Sequence, residues 1–299
     1  MILVAGSANL DFVVRAAHIP APGETVLGRD FQTFPGGKGA NQAVACARAG
    51  RAQTAMLAAF GADDFANPLK ASLTQAGVSL YEVISNQSTG TAFICVSEEG
   101  ENAITVAPGA NEDLLPVHWQ LLPKDQAFSH LLMQLETPVA TVLAFAQASR
   151  SRGAKVVLNA APARTLPHEL LNVIDLLIVN EGELATLAGT EGSLQEQLQR
   201  MAVQGISTVI VTLGAQGCLA LHQGQFLQQA AFQIDVVDTT AAGDTFCGAL
   251  VASLSQSADL PTAMKTACAA SALACTKLGA QSSIPTRSEV TAFLASHPA

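Results

Sequence analysis

The chain has 299 residues, 49% of them hydrophobic and only 13% charged, with 15 Lys and Arg against 24 Asp and Glu for a formal net charge of −9. That composition excludes a disordered polymer and fits one large α/β unit spanning residues 1–299. The acidic balance, with no cluster of Lys or Arg, excludes non-specific nucleic-acid binding and docking on anionic membranes.

In chain order, Met1-Ile2-Leu3-Val4-Ala5 runs straight into Gly6-Ser7. It is too short, and lacks the basic flank, for a signal peptide, so Ile2–Ala5 is predicted to be a first strand. Apolar runs rich in β-branched residues recur at 53–60, 130–135, 155–158, 175–179 and 208–213, several followed by a segment of helical period. This alternation predicts an α/β fold with a doubly wound, mostly parallel sheet flanked by helices. Two segments break the rhythm. Residues 12–34 form two extended pieces around Pro20-Ala21-Pro22-Gly23, and 91–106 alternates apolar and polar positions across Glu99-Gly100-Glu101-Asn102. Both are expected to be antiparallel strands standing off the main sheet, either as a small β lid or as an edge extension.

Thr137-Pro138 predicts an N-cap and a proline at the first helical position of a helix reaching about Arg152. Ser193-Leu194-Gln195-Glu196 predicts a capping box for a helix through Leu198 and Met201 that Gly205 stops. The charge-free stretch 201–234 is interrupted by Gln, Gly, Ser, Thr and His222, unlike the ~18 apolar residues of a spanning helix, and reads as strand, turn and strand. Cys46, Cys95, Cys218, Cys247, Cys268 and Cys275 show no C-x-x-C pairing. Set among small apolar residues, they are expected to be buried free thiols in a reducing cytoplasm.

Two glycine-rich segments carry chemistry. Phe34 to Ala43 opens a helix with Ala43 and Ala47 in its body and Gly50 at its stop. It is not a Walker A loop, because glycine follows Lys38, and Gly37-x-Gly39 running into Gln42 breaks the dinucleotide fingerprint. The turn either lets backbone approach a ligand, with Lys38 and Asn41 as hydrogen-bonding groups, or is an ordinary turn with a solvated Lys38. Val237 to Phe246 leads into a helix of small residues. Backbone N–H groups there can face an anion, since Ala and Gly leave the approach open. Asp244 would then accept a proton from a hydroxyl attacking a phosphate. The alternative is that Asp238, Thr239 or Thr240 caps the helix and Asp244 only adds charge to its first turn. There is no G-x-S-x-G elbow, and His168-Glu169-Leu170-Leu171-Asn172 lacks the second histidine of a zinc helix, so hydrolase and zincin chemistry lose their support.

Seven pieces now stand in order: Gly6 to Asp11, Gly36 to Ala43, Met133 to Glu136, Asn159 to Arg164, Asn180 to Glu183, Thr212 to Gly217, and Asp238 to Phe246. Together they resemble the ribokinase family of PfkB-type carbohydrate kinases over nearly the whole chain. The resemblance implies a ribokinase-like α/β domain with a β-sheet lid, often paired across a two-fold into a homodimer. It implies that Asn9, Asp11, Gly37, Lys38, Asn41 and Glu136 hold the hydroxyls of a pentose. Asp244 would be the general base, and the amides of Ala241, Ala242 and Gly243 the anion hole. Asn180 and Glu183, which by themselves read as a helix start with an acidic first turn, would organise Mg²⁺ at the triphosphate of ATP, with Thr212, Gly214 and Gly217 lining the nucleotide. Asp238, Thr240, Ala274, Gly279 and Ser283 would hold K⁺, mostly through carbonyls. The implied activity is ATP-dependent phosphorylation of D-ribose at O5. Deoxyribose, a ketose or a nucleoside are the alternative acceptors, and a catalytically silent sugar or nucleotide sensor is the alternative class. A Rossmann dehydrogenase lacks its glycines and the acidic residue roughly 20 positions on. Two departures stand out: Asn159-Ala160-Ala161-Pro162 replaces the usual Asn-Pro-Ala-Pro, and Cys268 sits where a polar or ring side chain often meets adenine.

Overall fold

The computed structural model describes residues 1–297. Strand β1 (Ile2–Ala5) is apolar and buried throughout, and after three intervening residues the chain enters β2 (Asn9–Arg15) and then β3 (Arg29–Gly36). Helix α1 (Lys38–Arg48), β4 (Thr54–Gly61), α2 (Ala66–Gln75) and β5 (Ser79–Ser85) follow, and then β6 (Gly90–Val96) and β7 (Asn102–Ala107). The chain next alternates through β8 (His130–Met133), α3 (Val139–Ser151), β9 (Lys155–Asn159), α4 (His168–Leu171) and β10 (Leu176–Asn180). Helices α5 (Glu181–Ala188) and α6 (Leu194–Ala202) lead to β11 (Thr208–Thr212), β12 (Cys218–His222) and β13 (Gln225–Gln229). Helices α7 (Ala242–Ser255), α8 (Leu260–Ala274) and α9 (Arg287–Ser296) complete the described residues.

The main sheet runs β13-β12-β11-β10-β9-β8-β1-β4-β5, parallel from β11 to β5. A parallel strand needs cover on both faces, and β1 shows how it is met. Ile2 and Val4 enter one apolar layer with α1, α7 and α8, while Leu3 and Ala5 enter the other with α3, α5 and α6. The direction of winding reverses beside β1. The chain steps outward through β4 and β5, then returns to β8 on the other side of β1 and proceeds to β11. Loops diverge at such a reversal and leave a crevice at the carboxyl ends of the strands.

The off-rhythm segments form a separate four-stranded lid sheet in the order β3-β2-β6-β7. Two of its pairings are antiparallel hairpins, as expected, but β2 and β6 pair in parallel. The cause is topological: β2 follows β1 and β6 follows β5, two parallel strands that leave the main sheet in the same direction. The lid strands also start earlier than residue 12, because Asn9 and Leu10 already pair with Gly36 and Pro35.

Local corrections have simple causes. Thr137 is buried and does not cap α3; Pro138 takes the N-cap position with no side-chain bond, and its carbonyl accepts from the amides of Thr141 and Val142. The capping box at Ser193 and Glu196 forms as expected, with α6 ending at Ala202. The stretch 201–234 holds three strands, since Gln223 (φ 49°) and Gly224 (φ 82°) make a two-residue hairpin turn between β12 and β13. All six cysteines are free, four buried and two half-buried. Among the described residues no helix is long and apolar enough to cross a membrane.

Candidate active site

The site grows out of the crevice beside β1. Gly37, at φ 86°, caps α1 where a Cβ would come within 2.6 Å of the Asn9 amide, so glycine lets the helix start press against the start of β2. Glu136, three residues after β8, ties this corner together. One of its oxygens accepts from Ser7 Oγ at 2.5 Å and from the Lys38 amide at 3.1 Å, while the Gly39 amide donates to Ser7 Oγ at 3.2 Å. Asn9 is buried, and its Oδ1 accepts from Asn111 Nδ2 at 2.7 Å; Asn111 Oδ1 in turn accepts from the Ala8 amide at 3.0 Å. Asn9 thus presents its own amide N–H groups.

Helix α7 supplies the opposite wall. Its N-cap is Ala241, in the left-handed region at φ 57°, with no side chain capping it. The alternative in which Asp238, Thr239 or Thr240 caps α7 is therefore overturned. Asp238 is occupied elsewhere, accepting from the Thr240 amide and hydroxyl at 2.8 and 2.6 Å and from the Gly279 amide at 2.9 Å. The Ala242 amide turns back onto the Thr239 carbonyl at 3.1 Å. Ala241 and Gly243 line a cavity of about 230 Å³ together with Lys38, Asn180, Glu183 and Asp244. A Cβ on Gly243 would meet no atom within 4 Å, so the approach to this helix start is open. Lys38, half-buried on the cavity wall, is not the solvated lysine of an ordinary turn.

Asp244 is buried, and both its oxygens are held: Oδ2 accepts from Asn41 Nδ2 and Oδ1 from Gln42 Nε2, each at 2.9 Å. Asn180 and Glu183 form a reciprocal capping box on α5. The Glu183 amide donates to Asn180 Oδ1, and the Asn180 amide donates to one Glu183 oxygen, each at 2.8 Å. The other Glu183 oxygen is outside that box.

Charge is crowded here. Burial, followed by the neighbouring Glu136 and Asp244, pushes the Asp11 carboxyl up to about 7, with Lys38 opposing. Burial works against the charge on Lys38, but Asp244, Glu136 and Glu183 outweigh it and hold the ammonium above the ordinary lysine value. Burial raises the Glu183 carboxyl, with the Asn180 amide and Lys38 pulling it down and Asp244 adding to the rise. Burial also opposes ionisation of Asp238, yet the bonds from Thr240 and Gly279 keep its carboxyl below the usual range. Among the described residues no three His, Cys, Asp or Glu side chains converge as a metal cluster.

A second, apolar cavity of about 310 Å³ adjoins the first and shares Thr212, Thr239 and Gly243 with it. Gly214, Gly217, Phe232, Ala242 and Cys268 contribute to its lining. Gly217, at φ 96°, sits where a Cβ would overlap the Gln229 carbonyl, and the Thr212 hydroxyl donates to the Val179 carbonyl at 3.3 Å. The segment bearing Asp238 and Thr240 is tied to the 274–283 loop by the Gly279 bond and by the Val237 amide, which donates to the Cys275 carbonyl at 2.8 Å. Ser283 is buried and donates to the Ala280 carbonyl, and the Ala274 carbonyl accepts from the Lys277 amide.

The structure brings Lys38, Asn180, Glu183, Ala241, Gly243 and Asp244 to one cavity and Thr212, Gly214 and Gly217 to the adjoining one, and hydrogen bonds tie Asn41 to Asp244 and Glu136 to Lys38, whereas Asp238, Thr240, Ala274, Gly279 and Ser283 line neither cavity. Reasoning from sequence assigned no role to Gln42, Asn111 or Asn159, and offered Thr239 only as a helix cap. Gln42 and Asn159 stood inside quoted motifs, whereas Asn111 carried no local signal.

A family model described as pfkB family carbohydrate kinase matches residues 1–287. The chain is 41% identical over 300 residues to a ribokinase of Haemophilus influenzae, with 98% of each chain covered. Its fold is similar to the crystal structure of a ribokinase from Thermotoga maritima, with a TM-score of 0.91 and 35% identity over 98% of this chain and 99% of that one. It is also similar to an Arabidopsis thaliana ribokinase complexed with ribose and ATP, with a TM-score of 0.87 and 30% identity over 98% of both chains.

Proposed function

The chain belongs to the pfkB family of carbohydrate kinases and is a ribokinase-type sugar kinase, and from that premise we propose that it transfers the γ-phosphoryl group of ATP to O5 of D-ribose. The observation that carries this reading is that Asp244, the uncapped start of α7 and Lys38 line one cavity that opens into a second, apolar one. The ribose and ATP held by the Arabidopsis relative support the same pair of substrates.

In this reading ATP lays its base against the apolar cavity of Thr212, Gly214, Gly217 and Cys268, and its triphosphate crosses the shared residues towards Gly243. The sugar lies under the lid, with Asn9, Asp11, Gly37, Lys38, Asn41 and Glu136 bonding its hydroxyls. A site built to bond several hydroxyls discriminates against analogues that lack one. Asp244 takes the proton of O5 as the O5–Pγ bond forms and the bond from Pγ to the leaving ADP oxygen breaks. The amides of Ala241 and Gly243, with Lys38, face the charge that spreads over the phosphoryl oxygens. Ala242 supports them as the first residue of α7, its own amide being spent in the turn. Lid strands closing over the crevice exclude water from the acceptor.

Two ions fit the residues present. Magnesium keeps most of its waters, and the Glu183 oxygen outside the capping box, with Asn180 beside it, suits such an ion; when bound it neutralises triphosphate charge. Potassium fits the oxygens of Asp238, Thr240, Ala274, Gly279 and Ser283, where it would add positive field beside α7. The exposed lid face bearing Ile104 and Val106 suits a homodimer, and six free thiols suit a reducing cytoplasm.

A panel of sugars and nucleosides assayed for ADP release with Mg-ATP tests the proposal. D-Ribose should give the highest kcat/KM. Ribose binding without ADP release would make the protein a sensor, and a better acceptor elsewhere in the panel would replace ribose.

A further inference from the structure

A chain of buried amides ends on Asp244. Asn159 Nδ2 donates to the Ile178 carbonyl at 3.1 Å, and Asn159 Oδ1 accepts from Gln42 Nε2 at 2.9 Å. Gln42 Oε1 accepts from Gln134 Nε2 at 2.6 Å, and Gln42 Nε2 also donates to Asp244 Oδ1 at 2.9 Å. Gln42 is fully buried and Gln134 almost so. A main-chain carbonyl can only accept, so Ile178 fixes the sense of the whole chain. Asn159 must point its NH₂ at Ile178 and its oxygen at Gln42, and Gln42 must then point NH₂ at both Asn159 and Asp244. Reversing the Gln42 amide would set its oxygen against two other oxygens, which a buried polar network tolerates poorly.

The second oxygen of Asp244 is held differently. Asn41 Nδ2 donates to Oδ2, but Asn41 Oδ1 is buried without a partner among the described residues. Nothing anchors the far end of that amide, so Asn41 is free to turn to a ligand while Gln42 is not.

We infer that Gln42 is a positioning residue that commits Oδ1 of Asp244 to the amide chain and leaves Oδ2 as the oxygen that takes the substrate's proton. The inference rests on the reading of Asp244 as the base. When the sugar hydroxyl arrives, Asn41 turns away, the hydroxyl proton passes to Oδ2, the new O–P bond forms and ADP departs with the electrons of the broken bond. Gln42 gains and loses no proton. The charged and titratable groups facing Asp244 are Lys38 on α1, Asp11 on β2, Glu183 on α5 and Cys247 one turn along α7. Gln42 is neutral, so replacing it alters none of those charges.

The test is Gln42→Met, which keeps the shape and removes the donor, followed by the pH dependence of kcat for ribose phosphorylation. A carboxylate that loses an N–H donor holds its proton more tightly, so the acid limb should move up by about one pH unit. At pH 7 kcat should fall roughly 10–100-fold while KM for ribose changes less than about threefold, the pattern of an interaction that matters only in the transition state. Asn159→Ser removes the anchor that orients Gln42 and should shift the limb in the same sense by less; it decides the matter if Gln42→Met does not fold. Asp11, pushed up to about 7, has no hydrogen bond to Gln42, so a limb governed by Asp11 would stay in place and count against the inference. An unmoved limb, with or without a loss of kcat and thermal stability, overturns it. Asp244→Asn, run beside these variants, separates the two failures. Turnover retained in Asp244→Asn sinks the base reading, whereas turnover lost there with an unmoved limb in Gln42→Met sinks only the role of Gln42.

Discussion

Replacing Asp11 by Asn should stabilise the ligand-free protein, and by more as the pH rises. Burial and the nearby Glu136 and Asp244 push the Asp11 carboxyl from 3.8 up to about 7, against the pull of Lys38. Below pH 3.8 the folded and unfolded chains both carry the proton and Asp11 costs nothing. Between 3.8 and about 7 the unfolded chain releases the proton while the folded chain keeps it, and stability falls by about 1.4 kcal/mol per pH unit. Above that window the loss levels off at about 4 kcal/mol, an upper figure because solvent in the crevice screens the charges. Asparagine cannot ionise and escapes the whole penalty. Its gain over the native residue should be about 1.5 kcal/mol at pH 5 and up to about 4 kcal/mol at pH 8. At roughly 2–4 °C per kcal/mol for a large domain, the midpoint difference at pH 8 should exceed that at pH 5 by several degrees. Calorimetric or circular-dichroism melts of the two proteins at both pH values, without ligands, read it directly. An equal gain at the two pH values, or a smaller one at pH 8, would mean that Asp11 ionises like an ordinary carboxyl, and the argument from a crowded acidic crevice would fail. The same substitution should weaken ribose binding, a stability–function exchange expected of a site that gathers like charges.

Asp244→Asn should fold and bind sugar yet lose roughly 10²–10⁴ in kcat, the range for removing a general base; steady-state kinetics with an unchanged melting point would show it. Potassium should raise turnover over sodium at fixed ionic strength, because Asp238 and the 274–283 loop abut the start of α7; identical rates in the two salts would remove the cation from the account. Ile104 is 55% exposed on the lid face it shares with Asp11 and Val106. Light scattering should give a dimer for the native chain and a monomer for Ile104→Lys, since a buried lysine at an interface is costly.

Much of this architecture was legible because parallel strands buried on both faces read as unbroken apolar runs. β1, β8, β9 and β11 begin at the residues the pattern marks, and β4 and β10 begin and end within one of them. Edge strands hid for the opposite reason. β5 exposes Ser79, Glu82 and Ile84, and β13 is mostly Gln, so neither shows a run. The parallel pairing of β2 with β6 was not legible either, because it follows from which ends of the main sheet they leave. In the site, the two glycine-rich motifs marked Lys38, Asn41 and Asp244, and the family resemblance alone marked Glu183, whereas the work of Gln42 and Asn111 lies in partners far along the chain. Gln42 meets Asp244 across 202 residues and Asn111 meets Asn9 across 102, separations over which no local pattern carries information. The choice between a capped and an open start for α7 also waited on structure, since Asp238 turns out to serve Gly279 rather than the helix.

The most direct test of the central claim is a crystal structure of the protein with ribose and a non-hydrolysable ATP analogue. The account predicts O5 of the sugar within hydrogen-bond reach of Asp244 Oδ2, about 2.6–3.2 Å, and the γ-phosphate on the amides of Ala241 and Gly243. A sugar hydroxyl and a terminal phosphate found in separate cavities, or an Asp244 that faces neither, would contradict it.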